Sequence, residues 1–343
     1  MPPAAPVRRG DGSRARAYLL VGAAAIAFSS ILVRLSHASP STAAIFRCAY
    51  ALPILACLAW REDRRLGPRE AADRRLAAGA GVFFAADLLM WHHSINDVGA
   101  GLATVLANVQ VVLLPLVAWA VLGERPARRV LAALPVCLIG VLLISGVLEH
   151  GAYGRDPLRG ALFGLGAGVA YVGFILLLRQ SGNDRRRPAG PLCDATAVAT
   201  VLCIVAGVII GDARLVPTWP SAGWLLLLAL TSQVLGWMFI GTSLPRLPAA
   251  QSSLLLTLQP VGSVALAALI LGESPSPLQL AGVVAVLAGL LAVVRGTSRE
   301  AARGPLEARR SARPTPRGVV AAGPEPSPVL SPAIAASTDV EPG

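Results

Sequence analysis

The chain has 343 residues, 55% of them hydrophobic and 14% charged, with a formal net charge of +11 and a mean hydropathy of +0.64. A soluble domain carries about 25% charged residues, so this balance, with apolar runs near twenty residues long, excludes an ordinary soluble globule and indicates an integral membrane protein. Every basic residue other than the four histidines is arginine, and the arginines flank apolar runs; topology signals and lipid headgroups account for them, and no nucleic-acid partner is expected.

Residues 1–16 form a basic arm containing Arg8, Arg9, Arg14 and Arg16. The first apolar run, 17–33, is long for a signal-peptide core and shows no small-residue cleavage site, so it reads as a retained helix. Further spans follow at about 41–60, 76–95, 99–122, 130–148, 158–178, 190–210, 223–244, 249–271 and 278–294. Helix is expected throughout, because a lipid-exposed segment must satisfy its own backbone hydrogen bonds. Residues 296–343 are rich in Pro, Arg, Ala and Ser and read as a disordered cytoplasmic tail. Ten crossings with both termini in the cytoplasm put twenty-five arginines inside and four outside, leaving Arg47 within a span. That is a strong positive-inside bias, and it supports a multi-pass protein of the plasma membrane.

The chain repeats itself. At an offset of 149, Gln110 falls on Gln259, Asn108 on Thr257, Leu122-Gly123-Glu124 on Leu271-Gly272-Glu273, Pro126 on Pro275 and Gly140 on Gly289. These polar and turn residues are rare here, so their shared spacing divides the chain into two five-span halves, 17–148 and 158–295. An odd number of spans per half makes the second half enter from the opposite side, an inverted repeat. Substrate sites in such proteins sit near the bilayer midplane, where the halves meet.

Two five-helix halves, a fourth and ninth span ending in Leu-Gly-Glu-x-Pro, a Gly-bearing span after each, and an Arg in span 2 resemble the drug/metabolite transporter superfamily, and more closely its EamA family. The resemblance covers residues 17–295. It implies an all-α integral membrane fold of ten helices around a central cavity, with spans 5 and 10 peripheral. It also implies a secondary transporter, most often an exporter, of amino acids, nucleobases, sugars or other small metabolites. Span 7 departs from a symmetric pattern: its one charge is Asp194, near the cytoplasmic end, and it offers no mate to Arg47.

Arg47 lies about 9 Å and Asp87 about 12 Å from the outer face, at 1.5 Å per residue. An intramembrane charge is costly and is a functional hypothesis by default. The two are expected to meet, directly or through water, and to take the carboxylate and amine of a zwitterion. Asp87 is also a candidate proton carrier. The alternatives are a snorkelling Arg47, or an ion pair that only pins spans 2 and 3. Trp91 reads as an interface anchor or a cavity wall. Of His92 and His93, about 100° apart on a helix, one is expected at the outer mouth and one among headgroups.

Asn108, Gln110 and Gln259 are midplane amides that need partners, whether solute, water or another helix. Gln233 and Trp237, i and i+4, share a face suited to a planar or amphipathic solute or to packing. Glu124 and Glu273 read as caps of the helices that follow them, and Pro115 and Pro260 as kinks. The five cysteines lack metal-ligand spacing and read as small packing residues. No GxxxxGK[ST] or HExxH motif occurs, so neither an enzyme nor an ATP-driven pump is indicated, and no cofactor is expected. Small-residue faces on spans 5 and 10 permit a homodimer without requiring one. A non-transporting membrane protein, handling lipid or assisting assembly, is the rival reading.

Overall fold

In the computed structural model, residues 9–122, 128–181, 186–216, 218–243, 247, 255–256 and 258–311 are described, and all regular structure among them is helical. The elements are α1 (Arg9–Ala27), α2 (Ser29–Ser36), α3 (Pro40–Leu66), α4 (Ala71–Val98), α5 (Ala100–Ala107), α6 (Gln110–Leu122), α7 (Arg128–Ile144), α8 (Pro157–Ser181), α9 (Ala189–Ile210) and α10 (Ser221–Leu228). A π-helical segment, Ala229–Gly236, then leads directly into α11 (Trp237–Ser243), followed by α12 (Leu258–Leu271) and α13 (Pro277–Ser311).

Among the described residues, seven helical stretches are long and apolar enough to cross a membrane: Arg14–Ser36, Pro40–Leu66, Ala100–Val117, Pro157–Ser181, Ala189–Ile210, Ser221–Ser243 and Pro277–Val294. Helix α12 is apolar but shorter. Helix α4 carries Asp87, His92, His93, Asn96 and Asp97 along its length, and α7 has 17 residues. The repeat turn Gly123 to Pro126 and Thr257 lie outside the described residues. So does the tail beyond Ser311, although α13 itself runs past residue 295 into the stretch read as disordered. The basic arm is likewise helical from Arg9.

Helices α3 and α9 are fastened to each other at both ends. A helix start leaves unpaired amides, which attract a carboxylate. Glu62, near the end of α3, accepts from the Ala189 and Gly190 amides at the start of α9, at 2.9 and 2.8 Å. Asp212, just past the end of α9, returns the arrangement: its Oδ2 accepts from the Ser41 amide at the start of α3, at 3.2 Å. Ser39 donates to the Asp212 carbonyl, and the Arg214 amide donates to Thr42 Oγ1 at 2.8 Å. The two helices therefore run antiparallel, each start closed by the other's end.

Glu273 corrects an expectation. It does not cap the helix that follows it; Ser276 does that, accepting from the Gln279 amide at 3.1 Å. The Glu273 carboxylate instead crosses to the first half and receives the Ala100 and Gly101 amides, at 2.7 and 3.1 Å, at the start of α5. Gly99, at φ 95°, makes the sharp α4–α5 corner, and a side chain there would collide with that carboxylate. One turn deeper, Ser263 of α12 joins Ser30 of α2 (2.7 Å) and Thr104 of α5 (3.0 Å) in a buried hydroxyl cluster.

Pro115 is interior to α6, and Pro260 lies in an apolar stretch that is already helical at Leu255 and Leu256. The small-residue faces of spans 5 and 10 are turned on each other. A Cβ added to Gly140 would lie 2.7 Å from the Gly282 carbonyl oxygen, and one added to Gly289 would meet Cys137 Sγ. Glycine permits this close crossing of α7 and α13.

Candidate functional site

Arg47 projects from α3 into the helical interior and is 4% exposed. Its Nε donates to Gln233 Oε1 at 3.0 Å, and its Cζ lies 5.6 Å from the centre of the Trp91 ring. Gln233 sits on the π segment, whose wide turn is a frequent feature of functional sites. Its Nε2 donates to Thr196 Oγ1 of α9 at 3.3 Å, so the amide is used at both ends and is fully buried.

Asp87, one turn before Trp91 on α4, retains 7% exposure and takes no hydrogen bond from the described residues. It feels the Arg47 charge but is not in contact ion-pair range of it. The expected direct pair is therefore absent, because Arg47 Nε is turned to Gln233. The two charges share one interior while remaining apart, and neither cancels the other.

An aromatic wall completes the site. Trp237 packs edge-on against Phe174, with ring centroids 5.5 Å apart, and lies 6.2 Å from Tyr171 of α8. Its indole Nε1 is buried without a partner, an open donor. Tyr171 interacts electrostatically with both Arg47 and Asp87.

His92 is buried, with Nδ1 against the Leu88 carbonyl and Nε2 unpartnered, which departs from an expectation of surface positions for the pair. His93 is half-buried and stacks on Phe163 of α8 at 5.2 Å, in the electrostatic neighbourhood of Asp97, Arg159 and Asp212.

The remaining amides are not drawn into this cluster. Asn108 stands at the break between α5 and α6, and its Nδ2 donates to the Thr104 carbonyl at 2.8 Å, capping its own helix. Gln110 begins α6 and Gln259 lies in α12, both partly buried, and no described hydrogen bond joins them to each other or to Arg47. Asp194 belongs to the arginine-rich end, 2.9 Å from Arg69. Among the described residues no three His, Cys, Asp or Glu side chains converge as a metal site requires. Sequence reasoning missed Thr196 and Tyr171. The signal was a hydroxyl in each of two largely apolar spans that also carry other polar residues, too common to single out.

The arrangement offers a guanidinium, a carboxylate, an indole donor and aromatic surface on neighbouring helices in one interior region. The model of the EamA-like transporter family matches residues 14–146 and again 158–295. Uncharacterized protein PA1977 of Pseudomonas aeruginosa is 30% identical over 224 residues, spanning 65% of this chain and 74% of that one. A solved crystal structure matches with a TM-score of 0.54 at 15% identity, over 88% of this chain and 99% of the other, a likeness of fold alone.

Proposed function

The chain belongs to the EamA-like transporter family, a multi-pass membrane protein among transporters of small solutes, and from that premise we propose that it exports an amino acid or a similar zwitterionic metabolite, with nucleobase-like solutes as the neighbouring class. In this reading the chain crosses the plasma membrane ten times, with both termini cytoplasmic, and residues 17–148 and 158–295 rock against each other around the enclosed site.

One observation carries the reading: a buried guanidinium and a buried carboxylate share one interior without pairing. Leaving both charges uncompensated in a low-dielectric interior is costly. A zwitterion repays this by placing its carboxylate on the Arg47 Nη groups and its amine on Asp87. An apolar side chain then meets Trp91, Tyr171 and Trp237. Transport is secondary, driven by the solute gradient or by proton exchange at Asp87.

The test is transport of an amino-acid and nucleobase panel into liposomes, with and without a pH gradient, beside thermal stabilisation in detergent. A solute that is carried, and that protects wild type but not Arg47→Ala, is expected. If no solute is carried or protective, the transport reading fails in favour of a lipid-handling or assembly role. Full transport by Asp87→Asn would rule out proton carriage by that residue.

A further inference from the structure

We infer that Thr196 and Gln233 are positioning residues: together they set the rotation of the Arg47 guanidinium, so that its Nη edge faces the solute only while the two halves stand at this spacing. The inference rests on the zwitterion reading for its ligand, though not for its geometry.

A guanidinium is planar and only donates, so one fixed N–H direction fixes all of its edges. The Trp91 ring supports the Arg47 guanidinium at 5.6 Å. A ring contact at that distance restrains its height but still allows rotation about the Cδ–Nε bond. The Nε bond to Gln233 removes that freedom. Gln233 must in turn present its oxygen to the guanidinium, which has nothing but donors, so its NH₂ needs an acceptor. Thr196 Oγ1 supplies one at 3.3 Å. Both Thr196 and Gln233 are 0% exposed, whereas Arg47 and Asp87 keep some exposure. With both ends of its amide engaged and no exposed surface, Gln233 is assigned the role of a brace and not of a solute contact.

The two braces belong to one half and the residue they orient to the other. Arg47 lies in the first half, while Gln233 on the π segment and Thr196 on α9 lie in the second. Separation of α3 from the π segment breaks the Nε bond and lets the guanidinium turn, so recognition of the solute carboxylate is linked to the approach of the halves.

The experiment compares wild type, the isosteric Thr196→Val and Gln233→Leu in nanodiscs. Binding is measured for the twenty L-amino acids and for their decarboxylated amines. In parallel, arginine labelled with nitrogen-15 at Nε reports solvent exchange of the Arg47 Hε, assigned by its loss in Arg47→Lys. Both variants are expected to weaken amino-acid binding about five-fold, as loss of one hydrogen bond's orienting effect implies, with amine binding unmoved and Arg47 Hε exchange accelerated. Equal losses for acids and amines would mark the pair as merely structural and overturn the inference, as would unchanged affinity for both. If wild type binds no amino acid, the zwitterion reading has failed and the exchange measurement decides alone: faster Hε exchange in both variants upholds the bracket, and unchanged exchange overturns it.

Discussion

The two ends of the α3–α9 pair are closed by different chemistry. Where α3 ends and α9 begins, carboxylates and arginines share partners: Asp63 lies 3.3 Å from Arg187 and 3.8 Å from Arg69, and Asp194 lies 2.9 Å from Arg69 and 3.8 Å from Arg74. Arg187 also donates to the Leu66 and Gly67 carbonyls. At the opposite end carboxylates rest mainly on backbone amides. Glu273 holds two at the start of α5 and Asp212 holds one at the start of α3, beside the bidentate Asp97–Arg159 pair at 2.7 and 2.9 Å. A shared ionic network can exchange partners in steps and is weakened by salt. A buried carboxylate seated on two amides has no second arrangement. At the arginine-rich end Glu62 alone among the described residues is seated in that way, on the Ala189 and Gly190 amides, so the ion pairs around it can rearrange, whereas the amide-capped end opens as a unit.

The largest expected effect would break this contrast most directly. Glu273→Ala strands two buried amides and should lower stability by about 3 kcal/mol, read as thermal unfolding in nanodiscs. Glu62→Ala removes the same number of bonds at a partly exposed site and should cost about half as much. Equal losses would erase the distinction between the ends.

Next, Arg159→Leu leaves Asp97, which is fully buried, without its bidentate partner. It should lower the unfolding temperature, whereas Arg74→Leu, at an exposed arginine, should lower it less and become undetectable at high salt. A strong salt response in both would show that solvent reaches both ends alike.

The smallest effect is a pH dependence. Burial, and then the neighbouring Glu273 carboxylate, raise the Tyr153 phenol above its ordinary value of 10.0. The neutral phenol is therefore the form the fold prefers. Its contribution is complete below the unfolded value and fades as pH rises through the folded one. Alkaline titration should loosen the amide-capped end first, and Tyr153→Phe should remove that loosening, as hydrogen exchange at the Gly99 corner would report.

Much of this was legible in the chain because charge is scarce in it. Arg47 and Asp87 stand out in apolar spans, and helical rise alone put them at similar depth. Apolar run length gave the helices. What stayed hidden is contact across the sequence. Glu273 reaches amides 173 and 172 positions away, and local capping rules pointed it to its own neighbour instead. The breaks at Phe28 and Asn108 carry no proline, and the π segment has no compositional mark. The repeat pairs Gln110 with Gln259 in sequence, but repeat position does not set partners: no described hydrogen bond joins either to the other or to Arg47. Thr196 was invisible because its value depends on Gln233, which depends on Arg47.

The glycine crossing of α7 and α13 has a consequence for what surrounds the molecule. With the crossing glycines turned inward, the side chains left outward from that strut include Leu138, Ile139, Leu142 and Val284, all branched and exposed. Acyl chains fit such a flank as readily as a neighbouring helix would. A second copy arriving there gains no closer approach than lipid already has, so native mass spectrometry from bilayers should register a single chain wrapped in its annulus.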